Sequence, residues 1–166
     1  YTLWPMGTLL KKDNSCFKVY GPFRKNAETK FHMINKPLKK KVITNWINLN
    51  TPKVNIEYQK NPEVIQGSRK IAVEMLSKLS KFQNYNSNRD MLTYQTTHLS
   101  AYIKFGLISI REVFKAFAKQ KVDTGLFNQL LWKEFYVYIA HYVPHVLQIG
   151  KPLSMKENYD KIKWKN

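Results

Sequence analysis

The sequence predicts a mainly α-helical protein: a helical domain over residues 62–166, preceded by a loop-rich arm with short β-like stretches over residues 1–61. Three observations predict this. Turn formers punctuate the first third of the chain, at Lys12-Asp13-Asn14-Ser15, Gly21-Pro22, Lys36-Pro37, Asn50-Thr51-Pro52 and Asn61-Pro62. From Pro62 onward, apolar residues recur at helical spacing. Start and stop signals bracket those runs, with Ser68 and Ser109 as caps and Gly106 and Pro144 as terminators.

Within the arm, Cys16–Tyr20 and Lys30–Ile34 read as β-like, and the run Lys39-Lys40-Lys41 as a solvated surface. The arm is expected to lie outside the core. Beyond it, Ser68 caps a helix whose inward residues are Ile71, Ala72, Met75, Leu76 and Leu79. Asn84 to Thr97 is polar, aromatic and non-periodic, which predicts a loop. Leu99 to Phe105 makes a short helix closed by Gly106. Ser109-Ile110-Arg111-Glu112 has the spacing of a capping box, opening a helix that turns Val113, Phe114, Phe117 and Ala118 inward. Gly125 to Val143 is the longest helix and is stopped by Pro144.

The 166 residues are 43% hydrophobic and 14% aromatic, enough for a core, which excludes a disordered polycation. No apolar run approaches the roughly 20 residues that cross a bilayer as a helix. Cys16 is the single cysteine, so neither a disulfide framework nor a cysteine zinc site is expected. His32, His98, His141 and His145 do not form a metal set: Pro144 interrupts the last pair and no acidic ligand is close. The opening Tyr1-Thr2-Leu3-Trp4-Pro5 has neither a starting Met nor a signal-peptide pattern, so the expectation is an intracellular chain, not secreted, that begins inside a longer protein. The net charge of +17 favours a polyanionic partner. Of the 28 basic residues 24 are Lys, beside 14 Asn, so A+T-rich codon usage contributes to that charge. Charge alone names no chemistry.

The helix from Gly125 carries more information. Wound at about 100° per residue, it places Phe127, Leu131, Phe135, Tyr138, Ile139 and Tyr142 on one apolar face. Gln129, Trp132, Lys133 and Tyr136 form an adjacent stripe that combines an amide, an indole, a cation and a phenol. Such a stripe suits a flat group stacked on the indole, with polar edges read by its neighbours. Thr96-Thr97-His98-Leu99-Ser100 sets three hydroxyls at a helix start, where backbone N–H groups accept an anion or are simply capped.

Taken in order, these residues resemble the photolyase/cryptochrome family of flavoproteins. The stretch from Gly7 through Val19-Tyr20-Gly21-Pro22-Phe23 is similar to the family's passage out of its N-terminal α/β antenna domain. Tyr85 with Arg89 resembles its Y-x-x-x-R pair. Thr96 to Gly106 resembles its flavin-phosphate loop, and Ile108-Ser109-Ile110-Arg111 the following I-S-x-R. Gln129-Leu130-Leu131-Trp132-Lys133-Glu134-Phe135-Tyr136 is similar to the family's [EQ]-L-x-W-R-[ED]-F-Y helix. Tyr159 to Trp164 resembles a segment that ends in a tryptophan.

The resemblance implies a partial helical FAD-binding domain of photolyase type. It implies FAD contacts from Tyr85, Thr96, Thr97, His98, Leu99, Ser100 and Lys133, with FAD also needing a C-terminal half. The antenna chromophore stays open. Damaged DNA would be met by Arg89, Gln129, Trp132, Lys133 and Tyr136, with Gln129 and Trp132 facing the lesion. Trp164 would be the outermost member of a tryptophan electron relay. His98 and Lys133 stand where the family usually has Arg, and Gln129 where dimer-splitting members often carry Glu. Light-driven repair of pyrimidine dimers at intracellular DNA is the implied function. A cryptochrome-type photoreceptor and a cofactor-free basic DNA-binding remnant are the alternatives.

Overall fold

The longest helix organises the molecule. A computed structural model describes residues 2–37, 61 and 64–147. Among these residues there are six α-helices: α1 (Tyr20–Thr29), α2 (Arg69–Ser77), α3 (Tyr85–Asn88), α4 (Leu99–Lys104), α5 (Ile110–Gln120) and α6 (Thr124–Tyr142). Single 3₁₀ turns follow α1, α2 and α6, and no strand occurs among the described residues. The class is mainly α, as the periodicity predicts. No helix among the described residues is long and apolar enough to cross a membrane.

α6 begins where Asp123 accepts a hydrogen bond from Gly125 N at 2.7 Å, and it ends at Pro144, which has no N–H to continue it. Leu131, Phe135, Tyr138 and Ile139 are buried as the apolar face requires, with Phe127 and Tyr142 half-buried beside them. Leu126 and Leu130 are buried too, so α6 is walled on two sides. The capping box of α5 is complete: Glu112 N donates to Ser109 Oγ at 3.1 Å and Ser109 N to Glu112 Oε2 at 2.8 Å. Ala118, expected inward, is exposed; Ile110, Val113 and Phe117 form the buried face. In α2, Ser68 caps through Ile71 N, yet Ile71 itself faces outward, because Ala72 and the following Leu79 take the core.

The first third departs most from expectation. Tyr20–Thr29 is a helix, with Gly21-Pro22 in its first turn, not at a turn between strands. Proline costs nothing there, since the N–H groups of a first turn have no intrahelical acceptor. The β-like segments take other forms. Val19 is the extended N-cap of α1, and Phe31–Met33 closes a 3₁₀ turn.

Nor does the segment stay outside the core: Leu3, Trp4, Leu9, Phe23 and Ala27 are completely buried. Phe23 packs edge-on against Phe135 and Tyr138, at 5.4 and 5.6 Å between centroids. Trp4 lies on Phe31, and its indole N–H donates to Lys30 O at 2.9 Å.

Two side chains of α6 hold this segment. Leu3 N donates to Glu134 Oε2 at 3.0 Å. The Tyr138 hydroxyl donates to Pro5 O at 3.1 Å and accepts from Leu9 N at 3.2 Å. Glu134 is fully buried, and its other oxygen, Oε1, has no hydrogen-bond partner within the described structure. Lys133 Nζ stands 3.6 Å from Oε1, within ion-pair range but longer than a hydrogen bond. Burial pushes the carboxyl up from 4.5 to about 6, against the partial relief that Lys133 and the Leu3 amide give.

Because the folded state binds this proton more tightly than the unfolded state, Glu134 contributes stability below pH 4.5 that is lost as pH rises through about 6. In urea unfolding from pH 4 to 7, Glu134→Gln removes that part of the pH dependence, gaining on the wild type by on the order of 2 kcal/mol as pH rises. Parallel stability curves for the two proteins contradict this. Glu134→Ala, which also strips Leu3 N of its acceptor, costs about 1–3 kcal/mol near pH 4 and less as pH rises through about 6.

Candidate functional site

A cavity of about 450 Å³ opens between α4, α5, α6 and the turn at Tyr85. That volume falls in the range of small-molecule sites, about 300–1,000 Å³. Leu99, Ile103, Val113, Phe117, Leu126 and Leu130 give it an apolar floor; Thr96, Thr97, His98, Ser100, Gln129, Lys104 and Lys133 give it a polar rim.

Local sequence builds each wall. α3 is one helical turn inside a segment expected to be irregular, and it presents Tyr85, whose phenol is raised by burial. Its contact with α6 is close. A Cβ on Gly125 would lie 2.6 Å from Asn86 Oδ1 and 2.9 Å from Asp123 Oδ1, so a larger residue there makes those side chains shift. α4 starts at His98, which takes a left-handed conformation (φ 50°) and makes no side-chain cap bond. Thr97, almost fully buried, accepts from Leu99 N at 3.4 Å instead. The helix closes on Gly106 (φ 70°), with Gly106 N donating to Ile103 O and Leu107 N to Tyr102 O, the Schellman pattern.

All seven residues expected to contact the cofactor line this one cavity: Tyr85, Thr96, Thr97, His98, Leu99, Ser100 and Lys133. Gln129 joins them. The other expected DNA contacts lie elsewhere. Arg89 is on the surface, 3.6 Å from Asp90, and Tyr136 is 62% exposed. Trp132 is half-buried and outside the cavity lining. The sequence left its ring for a ligand, yet Tyr20 lies flat against one face, with centroids 3.6 Å apart and planes 8° apart. Trp164 lies outside the described residues.

Three residues at or beside the site went unassigned in the sequence. Lys104 adds a second cation to the cavity rim from the last turn of α4. Glu134 sits three residues after Leu131 and four before Tyr138, so its position on the core side was readable from helical spacing. Tyr20 was hidden by the reading of residues 1–61 as an arm.

Chemically, an apolar floor beside a rim of hydroxyls and two lysines suits a flat ring linked to an anionic group. No protein-family model matches the chain. Among curated proteins it is similar to photo-lyases. One is a deoxyribodipyrimidine photo-lyase of Buchnera aphidicola subsp. Baizongia pistaciae, 30% identical over 93 aligned positions that cover 51% of this chain and 19% of the relative. Another is the deoxyribodipyrimidine photo-lyase of Alkalihalophilus pseudofirmus, 25% identical over 171 positions that cover 94% of this chain and 35% of the relative. The chain thus spans about a third or less of the length of these relatives. These partial similarities support a relationship to the photolyase family.

The contact between α3 and α6 generates a test of the cavity wall. Gly125→Ala alone destabilises by about 1–3 kcal/mol through overpacking against Asn86. In an Asn86→Ala background most of that cost is removed, and only the contact with Asp123 Oδ1 is left. Equal effects in both backgrounds, measured by denaturant unfolding, contradict the close approach.

Proposed function

We propose that the chain is part of a flavin-dependent, photo-lyase-like protein that acts on pyrimidine dimers in DNA. The observation that carries this reading is the gathering of Tyr85, residues 96–100, Gln129 and Lys133 around one cavity. They come from three separate sequence motifs of the resemblance, and similarity to named photo-lyases agrees with it.

The residues present fit a flavin nucleotide. Thr96, Thr97 and Ser100 offer hydroxyls, and Lys104 and Lys133 offer cationic donors to its phosphates. Leu99, Ile103 and Leu130 exclude water from a flat ring laid on the floor. Both Arg-to-Lys and Arg-to-His departures lower the number of fixed donors, since neither replacement makes a bidentate fork. A complementary polypeptide covering the rest of the photo-lyase length completes the pocket in this reading. When bound, the flavin supplies light-driven one-electron transfer to a lesion.

DNA is met on the faces beside the cavity. Arg89 reaches a phosphate from the surface, and the Trp132 ring stacks against an extruded base or base dimer. The +17 charge brings the duplex in without sequence preference.

Binding to a duplex with a single cyclobutane thymine dimer, compared with the same duplex undamaged, tests this. Trp132→Ala lowers affinity for the damaged duplex by about tenfold, the weight of one stacked base, and leaves the intact duplex nearly unchanged. Equal losses on both duplexes, or no loss, make Trp132 a packing residue only. Arg89→Ala instead weakens both and reduces the slope of log K against log salt by about 1.

A further inference from the structure

Among the aromatic contacts of the described residues, the pair of Tyr20 and Trp132 stands apart. Most rings in the core meet edge-on, at centroid distances such as 5.4 Å for Phe23 with Phe135. Tyr20 and Trp132 are parallel within 8° at 3.6 Å, so the phenol ring lies flat against one face of the indole.

The covering ring is held from several sides. Tyr20 is the first residue of α1, which Phe23 anchors on α6 through Phe135 and Tyr138. The Tyr20 hydroxyl donates to Asn128 O at 3.4 Å, one turn before Trp132. The edge of Phe135 meets both rings at 5.8 Å. One turn further along α6, Tyr136 stacks beside the indole, with planes 23° apart, a centroid distance of 5.7 Å and 62% of its surface exposed. Tyr136 is exposed, whereas Tyr20 is partly buried and fixed by α1.

We propose that Tyr20 is a positioning residue: it backs the Trp132 indole, closes one face, and leaves only the opposite face to a nucleobase or base dimer of bound DNA. The inference rests on the reading of Trp132 as a DNA contact. It adds a second element, the arm before α2, to the recognition surface.

The test compares Tyr20→Leu, which fills the space without a flat ring, with Tyr20→Phe, which keeps the ring and loses the hydroxyl. The probes are the dimer-containing duplex and its undamaged counterpart. Tyr20→Leu is expected to cut the preference for damaged over intact DNA several-fold, up to the roughly tenfold of a stacked base, with intact-duplex affinity unchanged. Tyr20→Phe retains the preference. The near-ultraviolet circular dichroism of the stacked pair is lost in Tyr20→Leu and kept in Tyr20→Phe. Tyr20→Leu adds nothing to Trp132→Ala in the double variant, since it acts through that ring. Full preference in Tyr20→Leu, or additive losses in the double variant, overturns the inference while Trp132→Ala still shows its own loss. No effect of Trp132→Ala overturns the DNA reading of Trp132 and this inference together.

Discussion

The buried carboxylate of Glu134 and the hydroxyl of Tyr138 are the constraint on which the rest depends. Between them they take hydrogen bonds from Leu3 N and Leu9 N and give one to Pro5 O, so residues 3–9 are fixed along α6. A buried backbone amide without a partner costs more than a surface one, because water cannot replace the bond. The clamp therefore determines the path of the arm, and the arm brings Trp4, Phe23 and Tyr20 to the faces where they pack. Glu134 bears the electrostatic strain of this arrangement. It is an acid in an apolar site, partly eased by the Leu3 amide and by Lys133 at 3.6 Å.

α6 serves two environments at once. Leu126, Gln129, Leu130 and Lys133 face the cavity with α4 and α5, while Phe135, Tyr138 and the ring of Trp132 meet α1. Lys133 and Glu134 are neighbours in sequence but belong to different sides. The first lines the cavity and the second holds the arm. Rigid packing of the arm thus fixes the helix that presents the cavity's polar edge, which is how a site keeps its geometry without depending on loops alone. In the flavin reading, the cofactor face and the DNA face share this single helix.

Local signals were legible in the sequence. The Ser109 capping box, the Ser68 cap, the Gly106 terminator and the Pro144 stop each act within four residues, so their chemistry is complete in the sequence itself. The residues around the cavity were legible through motif order, as Tyr85, residues 96–100 and Lys133 meet at one place. What failed depends on partners far along the chain. Gly21-Pro22 looks like a turn, yet Pro22 suits the first turn of a helix, and only packing on Phe135 and Tyr138 decides between the two. Ala118 and Ile71 fit helical periodicity but face solvent, because α2 and α5 bury narrower stripes than their apolar content allows. Trp132 has polar neighbours on its own helix, and nothing in that helix reveals that Tyr20 covers one face.

In the proposed reading, the cavity between α4, α5 and α6 holds a flavin nucleotide. The most direct measurement is a titration of the isotopically labelled chain with FAD, followed through its backbone amide resonances. Flavin in the cavity gives saturable shifts concentrated at Tyr85, Thr96 to Ser100, Gln129 and Lys133, with the helix faces away from the cavity unmoved. Shifts spread over the basic surface without saturation, or centred on the separate group of Lys11, Lys18 and His145 beside Tyr142 at the end of α6, would contradict it.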